Sequence, residues 1–289
     1  MMCSICPRKC GVNRKNDLGY CLSGTAFKAA RAALHFWEEP CISGKEGSGT
    51  VFFSGCNLRC VFCQNYEISH NNRGAEISDG KLIEIFESLI AQGANNINLV
   101  NPTHYAVRLA ELLSKWKCPV PVVYNTSGYE NVDTVKMLDG LVDIYLTDLK
   151  YIRCDKALRY SKAEDYFEKA SSAIKEMRRQ TGDSFDGRGI MQSGLIIRHL
   201  ILPSNTNSSL GIIDWISENM PDTYLSLMAQ YTPYGDLSAV PELRRRITER
   251  EYDKVLNYAL EKGMEKLFIQ ELSSAEEDFI PPFDLSGVK

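Results

Sequence analysis

An alternation of short apolar runs with amphipathic helical patterns limits the fold of this chain more than any other feature. It begins at Thr50 and continues to Ile269. The runs are apolar at nearly every position, so we expect strands buried on both faces, as in a parallel sheet covered by helices. In chain order the runs read TVFFS, INLV, VPVVYN, VDIYL, LIIRHLIL, YLSLM and LFI.

The number of strand–helix units predicts the architecture. Six units followed by a short closing strand predict an α/β fold, a partial (β/α)6 barrel instead of a closed eightfold one. Two capping boxes, Ser161-x-x-Glu164 and Thr248-x-x-Glu251, each predict the start of a helix. In barrels of this kind the chemistry lies at the carboxyl ends of the strands, so polar residues there are the first candidates for a site.

The first apolar run leads directly into a loop with three cysteines. Residues 55–65 read GCNLRCVFCQN and space Cys56, Cys60 and Cys63 as C-x3-C-x2-C. A 4Fe–4S cluster normally takes four thiolates, so three thiolates leave one iron open to a small molecule. The alternatives are a zinc ion with a remote ligand such as His70, or three buried free thiols.

With the aromatic Phe62 before its last cysteine, this loop resembles the signature of the radical S-adenosylmethionine (SAM) enzymes. The resemblance implies a 4Fe–4S cluster whose open iron binds the amino and carboxylate groups of SAM. A reductant such as flavodoxin or ferredoxin supplies one electron to the cluster. SAM is then reductively cleaved to a 5′-deoxyadenosyl radical, which abstracts hydrogen from the substrate.

The stretches INLVNPTHY, VVYNTSGYE and VDIYLTDLKY resemble, more narrowly, the pyruvate formate-lyase activating enzymes and their homologues. This likeness implies a glycyl-radical enzyme as partner and a backbone glycine as substrate. Two other hypotheses stay open. One is a radical SAM enzyme that modifies a small molecule or a peptide, and the other is a non-catalytic iron–sulphur electron carrier.

The resemblance also implies roles for residues that match the activase motifs. The residues on either side of the last loop cysteine lie near SAM in activases, which implies that place for Phe62 and Gln64. An Asp-x-Lys after the fourth strand lies near the SAM carboxylate, which implies Asp148 and Lys150. An arginine of the fifth strand also approaches SAM, which implies Arg198, and a charge within an apolar strand is costly unless it is paired.

Two stretches depart from the activases. The Gly-Gly-Glu that helps to bind the SAM amino group is replaced by NPTHY, where Asn101 or Thr103 could offer an oxygen acceptor, and the Pro-Tyr-His after the sixth strand is replaced by QYT. Polar residues near the strand ends are candidates for the substrate pocket: Asn101, His104, Tyr129 and Gln230 above all, and also Tyr105, Asn125, Ser127, Tyr151 and Tyr234.

The N-terminal part of the chain has a different character. We expect a cysteine-rich module over residues 1–48, followed by the barrel with its C-terminal helix and strand over residues 49–289. The module spaces its cysteines C-x2-C-x3-C-x10-C, a pattern that suits structural zinc and equally an auxiliary iron–sulphur cluster: Cys3, Cys6, Cys10 and Cys21. We expect this site to be structural and separable from SAM chemistry. Cys41 could be a spare ligand, and we expect Cys118 and Cys154 to be packing residues.

The composition limits the expected cellular compartment and the classes of binding partner. The net charge is −4, so no overall field favours nucleic acid. The first residues, MMCSICPRKC, lack the apolar core of a signal peptide, and no apolar run is long enough to span a bilayer. We therefore expect a cytoplasmic protein without membrane partners. Ten cysteines in a reducing compartment point to metal binding or catalysis instead of disulfides.

Overall fold

The protein is an α/β molecule, seen in a computed structural model that describes residues 2–270 and 281–289. The strands within these ranges are β1 (Phe27–His35), β2 (Ser48–Phe53), β3 (Ala75–Ile77), β4 (Ile97–Val100), β5 (Val122–Thr126), β6 (Ile144–Asp148), β7 (Ser184–Phe185), β8 (Met191–Leu200), β9 (Tyr224–Met228) and β10 (Leu267–Ile269). The helices are α1 (Pro40–Ser43), α2 (Tyr66–Ser69), α3 (Asp79–Ala91), α4 (Ala106–Lys115), α5 (Val132–Lys136), α6 (Cys154–Ser161), α7 (Tyr166–Gln180), α8 (Thr206–Asn219) and α9 (Glu249–Glu261).

The sheet has the parallel arrangement that the apolar runs predict. Its strand order is β10-β9-β8-β6-β5-β4-β2-β1-β3, and every pair from β10 to β2 is parallel. All seven predicted runs are strands of this parallel part. Over the described ranges the sheet is open, because its path ends at β10 on one side and at β3 on the other. None of the helices in those ranges is both long and apolar enough to cross a membrane.

Part of the predicted N-terminal module is built into this sheet. Strand β1 pairs antiparallel with β2 and with β3, and its residues Phe27 and Ala29 are fully buried. Residues 2–48 therefore comprise a cysteine segment, up to about residue 26, the strand β1 between β2 and β3 of the main sheet, and the short helix α1. The strand is stabilised by its backbone bonds to β2, which is why the composition of the segment does not reveal it.

One of the two predicted helix starts is correct. Thr248 and Glu251 form the reciprocal capping box at the start of α9. The start predicted at Ser161 is wrong, because Ser161 ends α6 and α7 begins at Tyr166. The buried hydroxyl of Ser161 contacts Tyr151 and Cys60 instead of capping a helix.

The concave face of the parallel strands changes from apolar to polar along their direction. Near the amino ends, Val123, Ile144 and Ile196 pack together with Cys41 and Ile42 of α1, so this end is closed. Two residues further along β5 and β8, and four along β6, the same face carries the polar side chains of Asn125, Arg198 and Asp148. The polar end of this face is the carboxyl edge, where the cysteine loop lies.

Candidate active site

The three-cysteine loop is held against the carboxyl edge of the sheet. It follows β2, and Gly55 and Arg59 take positive φ angles of 86° and 52° that turn the chain. The side-chain amide of Asn57 donates to the backbone oxygen of Tyr129 at 2.7 Å, which ties the loop to the segment after β5. Contacts with a neighbouring strand end therefore help to fix the shape of the loop.

Hydrogen-bond donors point at the sulphur atoms of the loop. The backbone N–H groups of Leu58 and Arg59 lie 3.3 and 3.4 Å from Cys56 Sγ. The hydroxyl of Ser161 donates to Cys60 Sγ at 3.1 Å. Burial raises the pKa of Cys56 to about 11, so its thiolate needs the positive charge of a bound metal. Such donors are among the features that tune the potential of an iron–sulphur cluster.

All three loop thiols line one cavity of about 150 Å³. The other polar side chains in its wall are those of Asn65, Ser69, Asn101, Asn125, Thr126, Ser127, Asp148, Lys150 and Arg198. The hydroxyl of Ser127 is buried there and has no hydrogen-bond partner within the described part of the chain. The cavity thus combines soft metal ligands with charged groups and with an unused polar atom, a donor set that fits a metal cluster and a polar ligand.

Three residues that the resemblance assigns to SAM lie together in this wall. Strand register places Asp148 of β6 beside Arg198 of β8. Arg198 Nε donates to one Asp148 oxygen at 3.1 Å, and Lys150 Nζ donates to the other at 2.5 Å. Burial alone would raise the pKa of Asp148, but the two cations outweigh it and hold this pKa below its ordinary value. Asp148 is therefore ionised at neutral pH.

A fourth charged residue, Glu38, completes this charge cluster, and the sequence analysis missed it. Its carboxylate accepts from Arg198 Nη1 at 3.0 Å, from Asn98 at 3.0 Å and from Asn125 at 3.2 Å. A signal was present, because a buried arginine in a strand requires carboxylate partners. Glu38 and Glu39 are two adjacent carboxylates in the segment just before the strand that leads to the cysteine loop.

A second cavity of about 160 Å³ adjoins the first. Four residues belong to both walls: Asn65, Val100, Asn125 and Arg198. The side chains of Gln64 and Gln230 line this outer cavity, and Gln64 Nε2 donates to the backbone oxygen of Gln230 at 3.2 Å. Gln64 and Gln230 therefore lie beside the inner cavity, as does the indole of Trp37.

Phe62 lies behind the loop and is absent from both cavity walls. Its ring packs edge-on against Tyr231, with ring centres 5.9 Å apart, and against Tyr160 at 6.2 Å. Only 6% of Phe62 is exposed. The structure gives its ring an aromatic packing role between the loop and the end of β9.

Several substrate-pocket candidates lie outside both cavities and make contacts within the chain. His104 Nε2 lies 2.8 Å from the Ser54 oxygen, and burial lowers the pKa of His104 to about 3, so its ring is neutral. The hydroxyl of Tyr129 donates to Asp165 at 2.5 Å. Neither residue lines the two cavities. Likewise absent from both cavity walls are Thr103, Tyr105, Tyr151 and Tyr234.

The four N-terminal cysteines are neighbours, and the other cysteines are not among them. Cys41 packs at the apolar, amino-terminal end of the parallel strands, Cys118 is half-buried against the main core, and Cys154 is exposed, so the packing role expected of Cys154 is not seen. Across residues 2–270 and 281–289, no group of three or more His, Cys, Asp or Glu side chains has the geometry of a single-ion site. Within those ranges, neither the loop thiols nor the N-terminal thiols form such a group.

Comparison with known proteins identifies the class to which this site belongs. Residues 50–192 match the model of the radical SAM superfamily. The chain is also 30% identical over 276 residues to Uncharacterized protein MJ0674 of Methanocaldococcus jannaschii, covering 92% of this chain and 76% of that relative. The chain belongs to the radical SAM superfamily, whose members are enzymes, and this membership implies a 4Fe–4S cluster and SAM.

Solved structures agree on the fold. Methylornithine synthase (PylB) matches with a TM-score of 0.51 and 15% identity over 72% of this chain. HydG, a maturase of the [FeFe]-hydrogenase, matches with a TM-score of 0.50 and 11% identity over 74% of this chain. The matches span 60% and 48% of those two proteins, so they support the fold and leave substrates open.

Proposed function

We propose that this protein cleaves SAM reductively at a cluster held by Cys56, Cys60 and Cys63, and that the resulting radical abstracts hydrogen from a backbone glycine of a partner enzyme. The observation that carries the SAM-cleavage part is the shared cavity, since all three thiols line the same wall as Lys150 and Arg198. The glycine substrate is supported by the resemblance of the sequence to glycyl-radical activases.

The charged wall fits the methionine end of SAM, which carries one carboxylate and one amino group. Lys150 and Arg198 offer cations to the carboxylate. Glu38 and Asn125 offer oxygen acceptors to the amino group, and Glu38 thereby supplies the carboxylate that the NPTHY stretch lacks. When bound, the cluster and SAM supply the radical chemistry, while the chain binds, orients and excludes water.

A second candidate substrate is a small polar molecule or a peptide. The observation that favours it is the polar outer cavity next to the inner one, with Glu38, Gln64 and Gln230 in its wall. A small ligand in this cavity would lie beside the inner cavity without any partner protein. The two candidates differ in whether a protein substrate is needed for radical transfer.

The test is SAM cleavage by anaerobically reconstituted protein with a chemical reductant. We expect 5′-deoxyadenosine and methionine from the wild type, and none from the Cys56→Ala, Cys60→Ala and Cys63→Ala triple variant. The control is Cys118→Ser/Cys154→Ser, which replaces two cysteines that do not line the cavity. If the wild type carries an intact loop cluster but forms no 5′-deoxyadenosine, the electron-carrier hypothesis replaces this proposal.

The substrate is tested separately, with SAM-cleaving protein and two kinds of acceptor. A glycyl radical in a candidate partner, detected by electron paramagnetic resonance, supports activation. Stimulation of 5′-deoxyadenosine formation by a small molecule alone, without a partner protein, supports the second candidate and contradicts the first.

A further inference from the structure

The N-terminal cysteine group, Cys3, Cys6, Cys10 and Cys21, is assembled by two tight turns. In the first turn the N–H of Lys9 donates to the Cys6 oxygen at 3.1 Å, and in the second the N–H of Leu22 donates to the Gly19 oxygen at 2.9 Å. Lys9 and Leu22 both have positive φ angles, 41° and 60°. Turns that reverse the chain in this way bring cysteines that are distant in sequence near one another.

The four cysteines lie near one another in space. The backbone oxygen of Cys3 accepts from the N–H of Gly11 at 3.1 Å, which places Cys3 beside Cys10, and Cys6 lies near Cys3 and Cys21. A Cβ atom at Gly19 would lie 3.3 Å from Cys10 Sγ and 3.4 Å from Cys21 Sγ. Gly19 therefore leaves just enough room for these two sulphurs, and any larger residue would crowd them.

A backbone hydrogen bond joins this group directly to the three-cysteine loop. The backbone oxygen of Cys21 accepts from the N–H of Cys56 at 3.2 Å. A Cβ at Gly55 would lie only 2.3 Å from that same oxygen, so the contact requires glycine. A short path thus joins two thiols, through Cβ, Cα and C=O of Cys21, one hydrogen bond, and N, Cα and Cβ of Cys56.

Arg8, between two of the N-terminal cysteines, holds the loop from the same side. Its guanidinium donates to the backbone oxygens of Asn57 at 2.7 Å and Leu58 at 3.3 Å, both within the loop. It also lies 4.1 Å from the ring centre of Tyr20. The N-terminal segment thereby fixes the position of the loop relative to its own cysteines.

The four N-terminal cysteines differ in solvent exposure, and the one that contacts the loop is among the buried ones. Cys6 and Cys21 are buried, with 8% and 7% of each residue exposed, while Cys3 and Cys10 are only half-buried. Cys21 is also the residue bonded to the loop. The group therefore extends from the surface to the loop.

We propose that Cys3, Cys6, Cys10 and Cys21 bind an iron–sulphur cluster that delivers electrons to the loop cluster. Four thiolates close all the positions of such a cluster, which leaves no place for SAM. Zinc would satisfy four thiolates equally well but has no redox chemistry. The backbone hydrogen bond between Cys56 and Cys21 and the extension of the group from the surface to the loop favour an iron–sulphur cluster over zinc. This inference rests on the proposed function of the loop.

The proposed transfer moves one electron at a time through the N-terminal cluster. A low-potential one-electron donor protein of the ferredoxin or flavodoxin class reduces the N-terminal cluster by one electron. The electron then moves to the loop cluster, and the N-terminal cluster returns to its oxidised state. No bond forms or breaks at the N-terminal site, and no proton is transferred there.

The metal content of the full chain, reconstituted anaerobically, tests the site without any activity assay. We expect about eight irons and eight sulphides in the wild type, the content of two four-iron clusters. We expect half of this content in Cys6→Ser/Cys10→Ser and half in the loop triple variant. Each variant should keep the electron paramagnetic resonance signal of its remaining reduced cluster, and the two signals should differ in shape. Cys118→Ser/Cys154→Ser should lose nothing. One zinc with only half of the iron in the wild type would overturn the proposal.

Electron delivery is tested by changing the donor. Cys6→Ser/Cys10→Ser should lose most of its 5′-deoxyadenosine formation with a protein donor and keep it with dithionite. An equal loss with both donors, or no loss with either, contradicts the relay. If this variant does not fold, the single change Cys10→Ser at a half-buried position is used instead. A wild type that holds both clusters but cleaves no SAM refutes the proposed function and leaves the second site standing.

Discussion

The two cysteine groups touch each other, yet their surroundings differ. The loop thiols face a cavity whose wall holds two cations and a carboxylate, with Glu38 directly behind. The N-terminal cysteines lie near one another at two tight turns. Three thiols in front of a charged cavity suit a site where a ligand comes and goes. Four neighbouring thiols suit a site that holds one metal group permanently.

The comparison also shows where the protein buries charge. Each of Glu38, Asp148, Lys150 and Arg198 has a side chain no more than 16% exposed, and the four charges cancel. Burying ions is unfavourable unless they are paired with good geometry, and such pairs are often no more stable than apolar residues of the same size. A cluster of this kind is therefore better explained by ligand binding than by stability.

The largest expected effect comes from breaking this charge cluster. Arg198→Met removes the cation that bonds to both Asp148 and Glu38 and leaves the Glu38 carboxylate without an ionic partner. We expect a loss of about 3–5 kcal/mol in the free energy of unfolding, the usual cost of an unpaired buried charge. Urea unfolding of the anaerobically reconstituted protein measures this loss.

The matched control is Arg153→Met, which breaks the exposed ion pair with Asp155. These side chains are 61% and 54% exposed. Exposed pairs contribute less than about 1 kcal/mol, so the control should stay close to the wild type. Similar losses in the two variants would mean that the buried ion pairs of Arg198 stabilise the fold no more than an exposed pair. The loop site would then not differ from the N-terminal site in holding strongly coupled buried charges.

The strands of the sheet are predictable because local composition determines them. Nearly continuous apolar runs fit only strands buried on both faces, and each run became one. Thr248 caps α9 because its hydroxyl is free to bond the N–H of Glu251. Ser161 has the same local pattern but caps nothing, since its hydroxyl is used by Cys60 and Tyr151. A sequence window does not contain those two partners.

The charge cluster was only half predictable for the same reason. Asp148 and Lys150 are two residues apart, and a known family motif points to them. Glu38 and Arg198 are separated by 160 positions, so only the sheet brings them together. The contact between Cys21 and Cys56 likewise depends on how the N-terminal segment folds back on the loop. Pairings made by tertiary structure are what the sequence analysis missed.

The second prediction contrasts the pH dependence of Glu130, near the N-terminal group, with that of Asp148 beside the loop. Glu130 is 1% exposed, and its carboxylate accepts from the hydroxyls of Thr103 and Thr126 at 2.5 Å each. Burial raises the pKa of Glu130 to about 7 from an ordinary 4.5. The stabilising contribution of the protonated acid is therefore full below about pH 4.5 and is lost as the pH rises through 7.

Unfolding free energies at several pH values test this difference. Between pH 4.5 and 8 the wild type should lose about 3 kcal/mol through this group, and Glu130→Gln should lose correspondingly less. Asp148, whose pKa is lowered, stays ionised throughout this window, so Asp148→Asn should keep the slope of the wild type. Equal slopes in the wild type and Glu130→Gln would show that Glu130 does not titrate there.

The third prediction concerns ligand binding in the loop cavity. If Lys150 pairs with the SAM carboxylate, Lys150→Ala should weaken SAM binding by about 1.5–3 kcal/mol, the range for a hydrogen bond to a charged group. Calorimetry with reconstituted protein measures this change, and the iron content should stay at the wild-type level. Lys136→Ala removes a lysine that is 55% exposed and should bind SAM normally. Unchanged affinity in Lys150→Ala contradicts the assigned role.

The smallest expected effect tests the contact between the two cysteine groups. A Cβ at Gly55 would lie 2.3 Å from the Cys21 oxygen and 2.4 Å from Ser23 Oγ, whereas one at Gly93 has no neighbour within 4 Å. Both glycines have positive φ angles, 86° and 95°, so alanine adds similar backbone strain at each. Gly55→Ala should therefore cost about 1–3 kcal/mol more than Gly93→Ala in the free energy of unfolding, through overpacking alone. Gly55→Ala should also lower the iron content, because the added methyl group pushes Cys21 away from the loop, while Gly93→Ala should keep it. Equal stability and equal iron content in the two variants would mean that the groups tolerate separation and do not work as one unit.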